Sequence, residues 1–309
     1  MLRPLAELPV SIDPEKVEAA IAPFLVAQGD GLRWRAEVAR RWGSTLFRLL
    51  AGRETGRDRQ TIESEYRAAW SAGYDHYRLG RCDLKAKPWH WRGLKLLLDP
   101  AAAARLRTVM FAAVIEELKP RRVLEVGSGN GINLLSLAGA FPDVEFAGLE
   151  LTSEGVEQSR RAQSDPRIAD IIRSYSPLRT RDDKAIGRIE FVQGDASAMP
   201  FENGSFDLVM TVLALEQMES IRAAALGEIA RIAARHALML EPFSDVNSNG
   251  LKRLYVRSRG YFRGSIGDLG DFGLHPAWAS DDFPQEAFLG TALVLAAKGR
   301  PNDPVRTPK

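Results

Sequence analysis

The sequence has little of what several large protein classes require. Its single cysteine, Cys82, cannot form an internal disulfide or a cysteine-based metal site, and we expect no bound metal. The most apolar stretch, 101–118, is interrupted by four charged residues and cannot cross a bilayer. The first ten residues carry Arg3 and Glu7 and lack the apolar core of a secretory signal. We therefore expect a cytoplasmic protein without membrane insertion.

The composition is that of an ordinary globular protein with an uneven distribution of charge. The chain has 309 residues, of which 45% are hydrophobic and 27% charged, enough for one large or two modest domains with a substantial core. The net charge is only +2, but residues 31–59 hold eight arginines against three acids, and residues 249–264 hold five basic residues and no acid. These segments are either solvated helix surface or a basic face that attracts an anionic substrate or nucleic acid.

Two patterns of hydrophobic residues divide the chain. From 13 to 118 the apolar positions recur at helical spacing, and we expect no strand there. The helix must stop at Lys119, because Pro120 follows it. Short apolar runs then alternate with helical segments, which indicates βαβ units and a parallel sheet. We predict a helical N-terminal cap over 1–118, a second domain over 119–299 and a frayed tail over 300–309.

A glycine-rich loop follows the first of the predicted strands. The run Val-Leu-Glu-Val-Gly-Ser-Gly-Asn-Gly, 123–131, leads from a buried strand into a helical pattern. Such a loop is either a tight strand-to-helix turn or a place where backbone approaches a ligand near a helix N-terminus. A dinucleotide site needs a third glycine at position 132, where this chain has Ile132, so NAD is disfavoured. The segment 123–138 instead resembles the first motif of class I S-adenosylmethionine-dependent methyltransferases.

Further segments in the same order support this resemblance. Glu150 ends the next strand about 20 residues beyond the glycines, where a Rossmann-like fold meets ribose hydroxyls, although it could also be an exposed charge at a helix start. Asp195 resembles the acid that accepts from the adenine amino group, although it could also be a turn residue. The runs 199–201 and 205–209 repeat the family's pattern. By resemblance the cofactor residues are Glu125, Gly127, Ser128, Gly129, Gly131, Glu150, Leu151, Asp195, Ala196 and Leu213.

The segment after the fourth strand of this domain indicates the subclass. It lacks the Asn/Asp-Pro-Pro-Tyr/Phe of enzymes that methylate adenine or glutamine, and the Pro-Cys of cytosine-C5 enzymes. The run Leu-Glu-Gln-Met, 215–218, resembles the "LEHV" of the ubiquinone/menaquinone-type, small-molecule branch (methyltransferase type 11), with Gln217 in place of the histidine. Without that histidine, the candidate catalytic residues are Glu216 and His76, and Gln217 is a candidate substrate contact.

Aromatic residues cluster upstream of the glycine loop, and His76 lies among them. Tyr74 and Tyr77 flank the histidine, and we predict that both contact the substrate. The other members are Tyr66, Trp70, Trp89 and Trp91. The cluster either lines a small-molecule pocket or packs the N-terminal region onto the second domain. Arg78 is a candidate partner for the cofactor's carboxylate.

The resemblance implies a fold and a function. The fold is α/β, a Rossmann-like doubly wound sheet of about seven strands with an N-terminal helical cap. Residues 291–298 would form the seventh strand, antiparallel and inserted between the fifth and the sixth. The function would be transfer of a methyl group from S-adenosyl-L-methionine to a small-molecule acceptor. The alternatives are an RNA or protein methyltransferase that uses the basic N-terminal region, and a homologue that binds the cofactor without turnover.

Overall fold

The computed structural model describes residues 10–50, 59–71 and 85–299. Up to residue 118, the described elements are the helices α1 (Pro14–Ile21), α2 (Leu32–Leu50), α3 (Arg59–Ser71) and α4 (Ala101–Leu118), and the strands β1 (Leu25–Gln28), β2 (Lys87–Trp91) and β3 (Leu94–Leu98). The expectation of an N-terminal half without strands is therefore wrong. The helix stop at Lys119 is confirmed, because α4 ends at Leu118 and Lys119 adopts a left-handed conformation with φ of 46°.

A two-residue turn explains the unexpected strands. Arg92 and Gly93 both have positive φ, 48° and 81°, which is the backbone conformation that matches the twist of a two-residue hairpin. The turn joins the aromatic run of β2 to the leucine run of β3, and the two strands pair along their full length. The sequence predicted no strand in this segment, whereas the hairpin buries Leu96, Leu97 and Leu98 in a sheet.

The rest of the described chain alternates strands with helices. Its strands are β4 (Arg122–Val126), β5 (Glu145–Glu150), β6 (Glu190–Gln193), β7 (Phe206–Val212), β8 (Ala233–Glu241), β9 (Leu274–Ser280), β10 (Gln285–Glu286) and β11 (Ala292–Lys298). Its helices are α5 (Ile132–Ala138), α6 (Ser153–Ser164), α7 (Ile168–Tyr175), α8 (Arg222–Ile232) and α9 (Gly250–Arg259). None of the helices in the described part of the chain is long and apolar enough to span a membrane.

Seven strands form the main sheet in the order β6-β5-β4-β7-β8-β11-β9. The first five are parallel, and β11 lies antiparallel between β8 and β9. This arrangement confirms the predicted Rossmann-like α/β fold and the predicted position of the seventh strand. The connections reverse direction between β4 and β7, so a crevice is expected outside the carboxyl ends of these two strands.

A second, smaller sheet connects the two parts of the chain. Its antiparallel order is β1-β3-β2-β10, and β10 pairs with β2 through Gln285 opposite His90 and Glu286 opposite Trp89. Lys87 Nζ donates to Glu286 Oε1 at 2.9 Å across the same pair of strands. The division into a cap over 1–118 and a domain over 119–299 stays a prediction, and the described cap shares a sheet with the later residues.

Candidate functional site

A cavity of about 270 Å³ lies at the carboxyl ends of the central strands. Four loops line it, at 125–130 after β4, 149–151 after β5, 194–196 after β6 and 212–218 after β7. The N-terminal part contributes Tyr66 and Trp70 from α3 and Arg107 from α4. The cavity therefore occupies the crevice that the strand order predicts, and part of its wall comes from the cap.

The structure brings most of the predicted site residues together around this cavity. Nine of the ten predicted cofactor residues line it, all except Gly131, and Glu216 and Gln217 line it as well. Tyr74, His76, Tyr77, Arg78 and Cys82 lie outside the described residues. The roles of these residues stay predictions.

The glycine loop needs its glycines for reasons of packing. Gly127, Gly129 and Gly131 all have positive φ, between 56° and 75°. A Cβ on Gly127 would lie 2.7 Å from Cβ of Ala214, and one on Gly131 would lie 2.6 Å from Cζ of Phe191. The tight-turn interpretation is therefore correct for these two positions, and Gly131 serves the loop without lining the cavity.

Gly129 lies against the N-terminal part of the chain. A Cβ on this residue would lie 2.9 Å from Cζ2 of Trp70, whose ring covers the loop from α3. Trp70 is only 5% exposed and stacks on Tyr66 with the ring centroids 6.1 Å apart. The aromatic cluster is thus divided, because Tyr66 and Trp70 line the cavity whereas Trp89 and Trp91 are buried in the hydrophobic core.

Glu150 is buried and ties three elements together. It is 7% exposed, so the interpretation of an exposed charge at a helix start is wrong. Its Oε1 accepts from the backbone N–H and the hydroxyl of Thr152 at 3.1 and 2.7 Å, and its Oε2 accepts from the N–H of Gly129 at 3.1 Å. Burial raises the pKa of Glu150, and the hydrogen bonds from Thr152 oppose that rise. The carboxyl group therefore holds the glycine loop against the start of α6.

Several polar groups around the cavity have no partner among the described residues. Glu125 is 1% exposed; its Oε1 accepts from Nδ2 of Asn133 at 2.6 Å, and its Oε2 has no hydrogen-bond partner. The hydroxyl of Ser128 and Nδ2 of Asn130 are also buried and without a partner. Burial raises the pKa of Glu125 to about 7. A polar ligand with both donors and acceptors would satisfy these groups.

Asp195 both shapes a turn and lines the cavity. Its Oδ1 accepts from the backbone N–H and the hydroxyl of Ser197 at 2.8 and 2.7 Å. These bonds make Asp195 the turn residue that one interpretation of the sequence expects. The neighbouring Ala196 is 6% exposed and also lines the cavity.

The loop after β7 carries Glu216, and a second carboxyl group holds this loop in place. Oε1 of Glu241 accepts from the N–H groups of Ala214 and Leu215 at 3.0 and 3.2 Å, and Oε2 accepts from the N–H of Glu216 at 3.2 Å. Glu241 is fully buried at the end of β8, and burial raises its pKa to about 8, with Glu216 as a second cause. Sequence analysis missed this role of Glu241, although an acidic residue at the end of an apolar strand was a signal that could have indicated it.

Arg107 is the second residue that sequence analysis missed. It lies on α4, is half-buried and lines the cavity, where its charge lowers the pKa of both Glu125 and Glu216. The sequence of α4 contains no recognisable motif, so only the tertiary structure reveals that Arg107 lies at the cavity.

Comparison with known proteins is consistent with the geometry. Residues 124–240 match a family described as a methyltransferase domain. A fatty-acid O-methyltransferase of Mycolicibacterium smegmatis is 33% identical over 96 residues, 31% of this chain and 27% of the relative. The ubiquinone/menaquinone biosynthesis C-methyltransferase UbiE of Methylobacterium nodulans is 32% identical over 146 residues, 47% of this chain and 52% of the relative.

The matches to curated relatives span about half of their length or less. Among solved structures, the [4+2]-cyclase SpnF superposes with a TM-score of 0.53 and 16% identity, covering 78% of this chain and 96% of SpnF, which shows a shared fold. The family match, the strand order and the glycine loop agree. Residues 124–240 are therefore similar to a methyltransferase domain, and they lie on a seven-stranded sheet of the Rossmann-like order.

Proposed function

We propose that the protein transfers a methyl group from S-adenosyl-L-methionine to a small-molecule acceptor. The observation that carries this proposal is the cavity, which is lined both by the loops with the predicted cofactor residues and by the loop with Glu216. Cofactor and acceptor could therefore lie side by side, as methyl transfer requires.

The cofactor would occupy the part of the cavity next to the glycine loop. Glu150 would accept from the ribose hydroxyls, and Asp195 with the backbone of Ala196 would meet the adenine edge. Glu125 has an unpartnered oxygen that suits the ammonium group of the methionine moiety. A carboxylate has about four acceptor positions, and hydrogen bonds from Thr152 and Gly129 already occupy three of those of Glu150, so a ribose hydroxyl would share this carboxyl group with the protein.

The acceptor would lie toward the loop after β7. S-adenosylmethionine supplies an electrophilic methyl group, so the protein must mainly orient the acceptor and, for an oxygen or nitrogen nucleophile, receive its proton. Glu216 and Gln217 line the cavity and would fill these roles. His76 stays a second candidate for the proton acceptor, and Tyr74 and Tyr77 stay candidate substrate contacts.

The relatives support a small acceptor rather than a macromolecule. Relatives that match this chain include a fatty-acid O-methyltransferase, an ajmaline N-methyltransferase, phthiotriol/phenolphthiotriol dimycocerosates methyltransferases and ubiquinone/menaquinone biosynthesis C-methyltransferases. The basic surface of α2 gives less support to nucleic acid, because Arg35 pairs with Asp30 and Arg40 with Glu37, each at 2.8 Å. These arginines fit the interpretation of a solvated helix face.

Two measurements on the full chain test the proposal. Calorimetry should show binding of S-adenosylhomocysteine and none of NAD, because Ile132 occupies the position of the third dinucleotide glycine. A screen of small acceptors should then yield S-adenosylhomocysteine from S-adenosylmethionine. NAD binding without a response to S-adenosylhomocysteine would contradict the proposal, whereas salt-dependent methylation of RNA would favour the macromolecular alternative.

A further inference from the structure

The cavity is rich in acidic groups, and only some of them are assigned to the cofactor. Four carboxyl groups line it, those of Glu125, Glu150, Asp195 and Glu216, against one guanidinium among the described lining residues, that of Arg107. The first three are the predicted cofactor contacts. Glu216 remains, on the loop after β7, and the proposed function assigns this part of the cavity to the acceptor.

The structure fixes the Glu216 side chain in one place. The residue is 8% exposed, and its Oε1 accepts from Nε2 of Gln217 at 2.8 Å. Its backbone N–H donates to Glu241 at 3.2 Å, and its carbonyl accepts from the N–H of Phe262 at 3.2 Å. The backbone contacts thus hold the main chain of Glu216 beside the cavity, and the hydrogen bond from Gln217 orients its carboxyl group.

One oxygen of this carboxyl group is left unused. Oε2 of Glu216 is buried and has no hydrogen-bond partner within the described part of the chain. Leaving a buried acceptor unpaired is unfavourable, and more so for a charged group, so a ligand that donates a hydrogen bond here would recover that cost. A ligand that presents another acceptor would instead face an uncompensated oxygen.

We propose that the acceptor is protic, carrying a hydroxyl or a neutral amine that donates to Oε2 of Glu216 and gives up its proton there. The inference rests on the proposed methyl transfer. In the reaction, a lone pair on the acceptor's oxygen or nitrogen forms the bond to the methyl carbon, while the carbon–sulfur bond breaks and its electron pair stays on sulfur. The acceptor's proton moves to Glu216, and afterwards leaves to solvent.

Electrostatics supports this role for Glu216. Burial raises the pKa of Glu216 to about 7, with opposing contributions from Gln217 and Arg107, so the group exchanges protons near neutrality. A carboxylate acceptor, such as the fatty acid named for the Mycolicibacterium relative, would meet Glu216 as a like charge. Position 217 holds glutamine, where the family that this segment resembles has histidine. Proton transfer through the preceding residue, Glu216, is consistent with this difference.

The test uses panels of aliphatic and aromatic compounds that share a skeleton and differ only in one group, which is hydroxyl, amine, carboxylate or methyl. Binding is measured by calorimetry on the full chain saturated with S-adenosylhomocysteine, and turnover by release of S-adenosylhomocysteine from S-adenosylmethionine. We expect the hydroxyl or amine compounds to bind and react. Comparing the hydroxyl compounds with the amine compounds shows which group is preferred. Carboxylate and methyl members should do neither.

The variant Glu216→Gln keeps an oxygen for Gln217 but cannot receive a proton. We expect its turnover of the protic members to fall about 10²–10⁴-fold, and the pH dependence of the wild-type rate near pH 7 to disappear. The affinity of Glu216→Gln for S-adenosylhomocysteine should stay within about twofold of wild type. The control Glu202→Gln changes an exposed residue, and its affinity and turnover should both stay within about twofold of wild type.

The outcomes separate this inference from the function on which it rests. If S-adenosylhomocysteine does not bind to the wild type, the proposed function itself fails. If it binds but carboxylates react as well as their protic counterparts, or no protic member binds, the inference about the acceptor is overturned. Full turnover by a folded Glu216→Gln protein would overturn the assigned proton transfer in the same way.

Discussion

Replacing Glu150 by alanine should affect both cofactor binding and folding. The buried carboxyl group accepts three hydrogen bonds, from the N–H and hydroxyl of Thr152 and from the N–H of Gly129. Glu150→Ala leaves these donors without their acceptor and also removes the proposed contact with ribose. Loss of a partly exposed carboxylate would change binding only, whereas the burial of Glu150 means that its loss should also lower stability.

The size of both effects follows from the same contacts. Hydrogen bonds to a charged group contribute about 1.5–3 kcal/mol, which corresponds to a roughly 10- to 150-fold loss of affinity for S-adenosylhomocysteine. Leaving buried donors unpaired costs about 1–3 kcal/mol, so the free energy of unfolding should fall by a similar amount. Calorimetry at 25 °C measures the affinity, and urea unfolding followed by circular dichroism measures the stability.

The same strand provides the control for this prediction. Glu145 begins β5, is exposed and pairs with Arg122 at 3.1 Å, so Glu145→Ala removes an acid from β5 without touching the cavity. It should change stability by less than about 1 kcal/mol and leave affinity unchanged. A folded Glu150→Ala protein that binds S-adenosylhomocysteine as tightly as wild type would refute the assignment of Glu150 to the cofactor.

Three further predictions concern stability, each measured by urea unfolding. Gly131→Ala should lower the free energy of unfolding by about 2–4 kcal/mol, because residue 131 has a positive φ and the added Cβ would clash with Phe191. The control Gly227→Ala, whose Cβ would lie in open space, should not lower it. Equal unfolding midpoints for the two variants would contradict this prediction. Because the folded-state pKa of Glu241 is raised to about 8, stability should decline as pH rises from about 4.5 to 8, and a flat profile would be the contrary result. Arg105→Met should cost about 1–3 kcal/mol, since its guanidinium donates to a buried carbonyl at 2.6 Å, and an unchanged midpoint would show that this bond contributes nothing.

The second part of the chain was predictable because its strands are buried on both faces. Val123, Leu208 and Ala237 are each completely buried, and continuous apolar runs of this kind are the usual sequence pattern of parallel strands. The positions of the glycine loop and of the ends of β5 and β6 follow from the same alternation of apolar strands and helices along the sequence. For this reason most predicted cofactor residues line one cavity.

The N-terminal part was less predictable because its strands depend on distant partners. Trp89 pairs with Leu96 on one side and with Glu286 on the other, and nothing in the sequence near β2 announces the second partner. Arg107 and Glu241 were missed for a related reason. No motif in the local sequence marks the role of either residue, and only the packing of α4 and β8 brings them to the cavity and to the loop after β7.

The pairing of β10 with β2 has a consequence for the order in which the protein is made. Lys87 and Glu286, which pair across these strands, are 199 residues apart in sequence. During synthesis the hairpin of β2 and β3 leaves the ribosome well before β10, so the edge that β10 covers stays open until the intervening residues have been translated. Contacts of such long range form slowly, and an uncovered strand edge is a site for pairing with other chains. Aggregation during expression should therefore be most sensitive to changes in β10, which has only two residues.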